Sequence, residues 1–211
     1  MSEISQAIDR ILEHVGSSSW KHELEWARQE FFKEFDTTLV SDKDAEFGLS
    51  LFQDWLLFER ELEGAKLIPV KAFYQDFSAA FSPEEDKVFS ALINTVYGVF
   101  KVKRIKSQSV VLASLVQKKR YNVLDTVPEG FRTDGLISAR LVEFDGKFCF
   151  CPAVCFHPES QNKNIQAVLK SPDIEERLGR FLHDLACINF KARLYPDVDS
   201  ALFYRDLFQT K

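Results

Sequence analysis

The spacing of apolar residues changes period near residue 95, and that change constrains the fold more than any other feature of the 211-residue chain. Before it, apolar side chains recur every three or four positions, the signature of helices with one buried face. Ile4, Ile8, Ile11, Leu12 and Val15 make one such stripe, stopped by Gly16, and Trp20, Leu24, Ala27, Phe31 and Phe35 make a second. A third helix, capped by Ser41 or Asp42 and running to about Leu62, is apolar nearly all round between Phe47 and Phe58, which marks it as the central buried helix. Pro69 opens a fourth. Ser82-Pro83-Glu84-Glu85 combines an N-cap, a proline at the first helical position and a capping-box glutamate, opening a fifth that runs to about Asn94.

After residue 95 the pattern alternates. Residues 95–105, 109–116 and 119–125 are β-branched, aromatic and joined by short polar turns. Beyond Pro128-Glu129-Gly130, residues 136–144 and 147–153 flank Asp145-Gly146, a type I′ hairpin signal. Five short strands across 96–154 suit a small, strongly bent antiparallel sheet or barrel of the SH3-like or OB-like kind. Helices resume after about Ser160. The best starts at Ser171-Pro172, with Ile174, Leu178, Phe181, Leu182, Leu185 and Ile188 on one side, and Pro196 begins a last short one ending near Phe208. The fold class expected is therefore α+β, in three parts: a helical region 1–95, a small β domain 96–156, and C-terminal helices 157–211 packing on the rest.

The same boundary divides the charge. The net charge is −5. Residues 1–95 carry 9 basic and 19 acidic side chains, residues 96–156 carry 10 and 5, and residues 157–211 carry 8 and 8. An acidic helical half thus adjoins a basic β segment, a lead to partners rather than to fold. No stretch approaches the roughly 20 apolar residues of a membrane span. The first residues show no basic start followed by an apolar run, so they read as no secretory signal and the chain is expected to be cytoplasmic, its four cysteines kept as thiols or metal ligands. The 20 phenylalanines point to an aromatic-rich core.

Three blocks carry a resemblance. Phe52, Trp55 and Phe58 lie in the first, residues 52–62; Ser82-Pro83-Glu84-Glu85 form the second; Asp134-Gly135-Leu136-Ile137-Ser138-Ala139-Arg140-Leu141 form the third. In this order, over roughly residues 45–150, the chain resembles a family of uncharacterised bacterial proteins with a helical N-terminal part and a small β domain. Some relatives carry a cysteine-rich zinc motif of the SEC-C type, whose glycine-lysine core is missing here. The resemblance implies an architecture and no activity.

Two groups of residues are candidates for a site. Lys101, Lys103, Arg104, Lys106, Lys118, Lys119 and Arg120 are seven basic side chains with no acidic residue among them. Lys101 and Lys103 share the solvent face of one strand and Lys118–Arg120 fall at the far end of its hairpin, a surface that could contact nucleic-acid phosphates. Lysines also guard exposed strand edges, and the low isoelectric point, about 5.5, argues against a dedicated nucleic-acid binder. Cys149, Cys151, Cys155 and His157 are of the kinds zinc accepts, provided Pro152 ends the strand and turns the last two back toward the first two. Buried thiols are the alternative. Asp54, interrupting the apolar third helix, has no carboxylate at helical spacing and reads as a structural polar group. His14, His22, His157 and His183 are scattered, and no nucleophile elbow, dinucleotide or phosphate loop, or EF-hand is present. The leading expectation is a non-enzymatic protein without cofactor, acting through contacts with another protein or with itself. A nucleic-acid module and a zinc-stabilised module are the alternatives.

Overall fold

In the computed structural model, residues 2–17, 20–33, 35, 41–124 and 129–209 are described; Pro128 of the expected turn lies outside them. Five helices lead: α1 (Glu3–Ser17), α2 (Lys21–Phe32), α3 (Asp42–Phe58), α4 (Pro69–Phe77) and α5 (Pro83–Ile93). The Ser41 hydroxyl caps α3 by accepting from the Asp44 amide, and Ser82 and Glu85 complete a reciprocal capping box at α5. The third helix stops at Phe58, short of Leu62, and Leu49 stands half exposed on it, so its apolar surround is not wholly buried.

Five strands follow: β1 (Val96–Lys106), β2 (Ser109–Ser114), β3 (Arg120–Val123), β4 (Leu136–Phe144) and β5 (Lys147–His157). They bond in the order β1-β2-β3-β5-β4, and β4 returns to β1 to close the ring. Four seams are antiparallel, as expected. The fifth, β3 with β5, is parallel and rests on Val123 opposite Phe148. A five-stranded closed ring with crossed connections is the OB-like alternative of the two barrel types. Asp145 and Gly146 both have positive φ, as the I′ hairpin requires.

The β5 strand departs from expectation. Pro152 does not end it; the strand runs on to His157. Phe150 pairs with Leu141 and Val154 with Ala139, so Cys151, Pro152 and Ala153 all face the single residue Arg140. This bulge of three residues against one absorbs the proline, which has no N–H to give the ladder.

Helices α6 (Asn162–Val168), α7 (Ile174–Leu194) and α8 (Ser200–Gln209) complete the chain. The α7 and α8 helices start two and four residues after Pro172 and Pro196, which lie in the turns ahead of them. Three apolar clusters result. Phe100, Val102, Leu112, Tyr121, Ile137 and Leu141 fill the ring. Val142, Cys151, Ala153 and Cys155, on its outside, join the core of α1–α5 and α7. Val99 and Leu136 pack under α6, α7 and α8. The β4 strand is thus buried on both faces, with Ile137, Ala139 and Leu141 inward and Leu136, Ser138, Arg140 and Val142 outward.

Candidate functional site

Helices clothe the outer sides of β4 and β5 and the first half of β1. The outer side of β2, β3 and the second half of β1 takes no part in either helical core, and the seven basic residues lie along it and at the turn that bounds it. Register places them in rows. Lys101 stands opposite Ala113, which stands opposite Arg120; Arg104 stands opposite Val111, which stands opposite Asn122. Strict alternation from Lys101 would send Arg104 into the barrel. A bulge at Lys103 adds one residue between Val102, opposite Leu112, and Arg104, opposite Val111, so that Lys101, Lys103 and Arg104 all stay outside.

Six of the seven are exposed; Lys101 is half-buried and its Nζ meets Asp134 at 2.8 Å. That contact, with help from Lys103, holds the Asp134 carboxyl below its ordinary range. The other six have no carboxylate within 4 Å among the described residues. Lys119 lies over the ring of Tyr121, 5.3 Å from its centroid. Among the described residues no ring stands on the open face itself: Phe100 and Tyr121 point inward, and Val111, Ala113 and Asn122 occupy the ground between the charges.

The candidate zinc ligands are not brought together. Cys149, Cys151, Cys155 and His157 lie on the outward side along the length of β5, spread over a distance on the order of 20 Å. No group of three or more His, Cys, Asp or Glu side chains placed to hold a metal ion occurs among the described residues. Cys151 and Cys155 face the helical core, where burial pushes both thiols up, Cys155 to about 12. They are thus held as neutral thiols rather than nucleophilic thiolates. His157 is buried, with Nδ1 2.9 Å from the Tyr204 hydroxyl and Nε2 3.1 Å from Ser138 Oγ. Burial lowers its pKa to about 4, so it is a neutral ring that stitches α8 to the barrel.

A second polar centre escaped local reading. Arg140, on β4, is 5% exposed. Its Nε reaches both Asp54 oxygens, at 3.0 and 3.2 Å, its Nη2 reaches Glu59 at 2.8 Å, and its Nη1 reaches the Thr95 hydroxyl at 3.3 Å. The guanidinium is held between the rings of Phe58 and Tyr97, 4.7 and 4.3 Å from their centroids. Burial raises the Asp54 carboxyl against the opposing pull of Arg140. Burial likewise raises Glu59, to about 7, assisted by the charge of Asp54 and opposed by Arg140. Beside them is a cavity of about 10 Å³ lined by Asp54, Glu59, Tyr97, Ser138, Cys155 and His183, among others. That is the space of about one water, too little for a substrate. Asp54 is thus a structural group, as its sequence surroundings suggested; its partner lies 86 residues away, where helical spacing cannot point.

Fold and site together define a class: a helix-clad, five-stranded OB-like barrel with one open, cationic strand face. The chain belongs to a family of unknown function (DUF7986), whose model matches residues 9–174. That match runs from within α1 through α2–α5, the whole barrel and α6. No curated protein and no solved structure matches the chain. No helix among the described residues is long and apolar enough to cross a membrane.

Proposed function

We propose that this protein binds single-stranded nucleic acid on the open face of its barrel. One observation carries the reading: the side of the barrel left bare by the helices is the side on which the bulge at Lys103 keeps Lys101, Lys103 and Arg104 outward, in line with Arg120. Barrels of this architecture use the β2–β3 face for oligonucleotides, a likeness of fold that supports the reading without establishing it. The low isoelectric point reflects the acidic helical half and leaves the local field of the strand face positive.

The test is fluorescence anisotropy with labelled 20-nucleotide single-stranded RNA and DNA. Binding at 20 mM salt, lost at least tenfold in Lys103→Glu/Arg104→Glu/Arg120→Glu with an unchanged melting curve, supports the reading. Binding that survives those reversals, or none at low salt, refutes it.

A second reading, contact with another protein or a second copy, is favoured by Trp26 and Leu49, large apolar side chains about half exposed on α2 and α3. Sedimentation of wild type against Trp26→Glu and Leu49→Glu tests it. A concentration-dependent assembly that either change abolishes supports it, and a monomer throughout counts against it.

A further inference from the structure

The geometry points to a ligand recognised by its chain of phosphates and not by its bases. This rests on the nucleic-acid reading above and narrows it. Same-side residues on a strand recur about every 7 Å, so the row of Lys101, Ala113 and Arg120 lies about 7 Å from the row of Arg104, Val111 and Asn122. That repeat is close to the separation of neighbouring phosphates along an extended single strand. Across the strands, Lys101 and Arg120 stand two strand spacings apart, about 10 Å, with only the Ala113 methyl between them. The result is a track along β2, floored by Ala113 and Val111 and walled by Lys101 and Arg104 on one side and Arg120 on the other. Long basic side chains can reach over the low floor to one chain of phosphates from both sides.

The floor has nothing on which a base could stack. Base stacking on aromatic rings is the usual source of energy in single-strand binders, worth about 1–3 kcal/mol per base. Here the rings of β1 and β3 beside the track, Phe100 and Tyr121, point inside the barrel and are at most 2% exposed. Asn122 is the one uncharged polar side chain along the two rows, too little to read a sequence of bases. What remains is phosphate contact, which is insensitive to sequence and steeply sensitive to salt. Three such contacts, from Lys101, Arg104 and Arg120, predict a loss of about 20-fold in affinity between 50 and 200 mM salt. A phosphoanhydride chain offers the same repeating charges, so inorganic polyphosphate is a ligand of the same chemistry.

The experiment measures the full-length chain against labelled 12-mers of oligo(dT), oligo(dA) and a fully abasic strand, with inorganic polyphosphate as competitor. Affinities within about threefold across the three strands, with displacement by polyphosphate, are expected. Lys101→Ala, Arg104→Ala and Arg120→Ala should weaken all three strands alike and lower the salt slope. A loss of tenfold or more on removing the bases overturns the inference while leaving the nucleic-acid reading standing. Polyphosphate bound with no detectable binding of any strand keeps the phosphate chemistry and overturns the nucleic-acid reading. Failure to bind any of the four at 20 mM salt overturns both.

Discussion

Replacing Arg140 by leucine tests whether the helical layer and the barrel are joined by a charge that neither can do without. The side chain is 5% exposed and gives hydrogen bonds to Asp54, Glu59 and Thr95, so its loss strands two carboxyls in a largely buried junction. Removing one member of a buried pair typically costs 3–5 kcal/mol, most of it the burden of the charge left behind. Protonation limits that burden. Neutralising an aspartate of ordinary pKa costs about 1.4 kcal/mol per pH unit above that pKa, roughly 6 kcal/mol at pH 8 and roughly 2 at pH 5.5. Arg140→Leu is therefore expected to lose about 4 kcal/mol at pH 8 and about 2 at pH 5.5. With a urea m-value of about 2.5 kcal/mol/M the midpoint falls by about 1.6 M at the higher pH. Arg140→Leu/Asp54→Leu/Glu59→Gln, which removes the stranded charges too, should recover to within about 1 kcal/mol of wild type. Urea denaturation followed by tryptophan fluorescence at both pH values reads all of this. A loss under 1 kcal/mol at pH 8, or one that does not shrink on acidification, would refute the reasoning.

Three further outcomes follow from the same geometry. Glu59 has a folded pKa raised from 4.5 to about 7, so between those values the folded state holds more protons than the unfolded one and stability falls as pH rises. Glu59→Gln should match wild type near pH 4.5 and exceed it by about 2–3 kcal/mol at pH 8 in urea titrations, and equal pH profiles for the two would sink the assignment. Gly48 lies under Phe190, and an added Cβ would stand 2.5 Å from its Cζ, so Gly48→Ala should cost about 1–3 kcal/mol of overpacking despite alanine's better helix propensity; a thermal melt at or above that of wild type contradicts it. Asp134→Asn frees Lys101 while keeping a side chain that tolerates φ near +66°, and should tighten oligo(dT) binding about threefold by anisotropy. Weaker binding would mean that Asp134 positions Lys101 rather than competing for it.

What could be read from the chain was local. The stripe Ile4, Ile8, Ile11 and Val15, the Ser82 capping box and the Asp145-Gly146 turn each encode an element within a few residues, and each element stands where its pattern put it. What was missed depends on residues far apart. Pro152 looks like a strand terminator because the alphabet of turns contains it; only the pairing of Phe150 and Val154 with β4 reveals a bulge that accommodates it. Without that stop, Cys149, Cys151, Cys155 and His157 stay strung along one strand. The basic residues were legible as a group, but Arg120, expected at the far end of the hairpin, stands level with Lys101 two strands across, because β3 folds back along β2. The bulge that keeps Arg104 outside, and the inward direction of Phe100 and Tyr121, needed the register of three strands. Asp54 and Arg140 carry no mutual signal in the sequence, since a helix residue and a strand residue 86 positions apart share no local pattern.

The ring of strands sits astride the middle of the chain, and this sets a clock during synthesis. Leu56 and Phe58 of α3 leave the ribosome long before β5, which helps to cover them and spans residues 147–157. At about 5–20 residues per second the interval between Phe58 and the end of β5 lasts roughly 5–20 s. For that time a nascent chain displays five helices with apolar faces whose barrel-side cover has yet to be made. The acidic surplus of the first 95 residues gives such chains a like charge, which opposes their association.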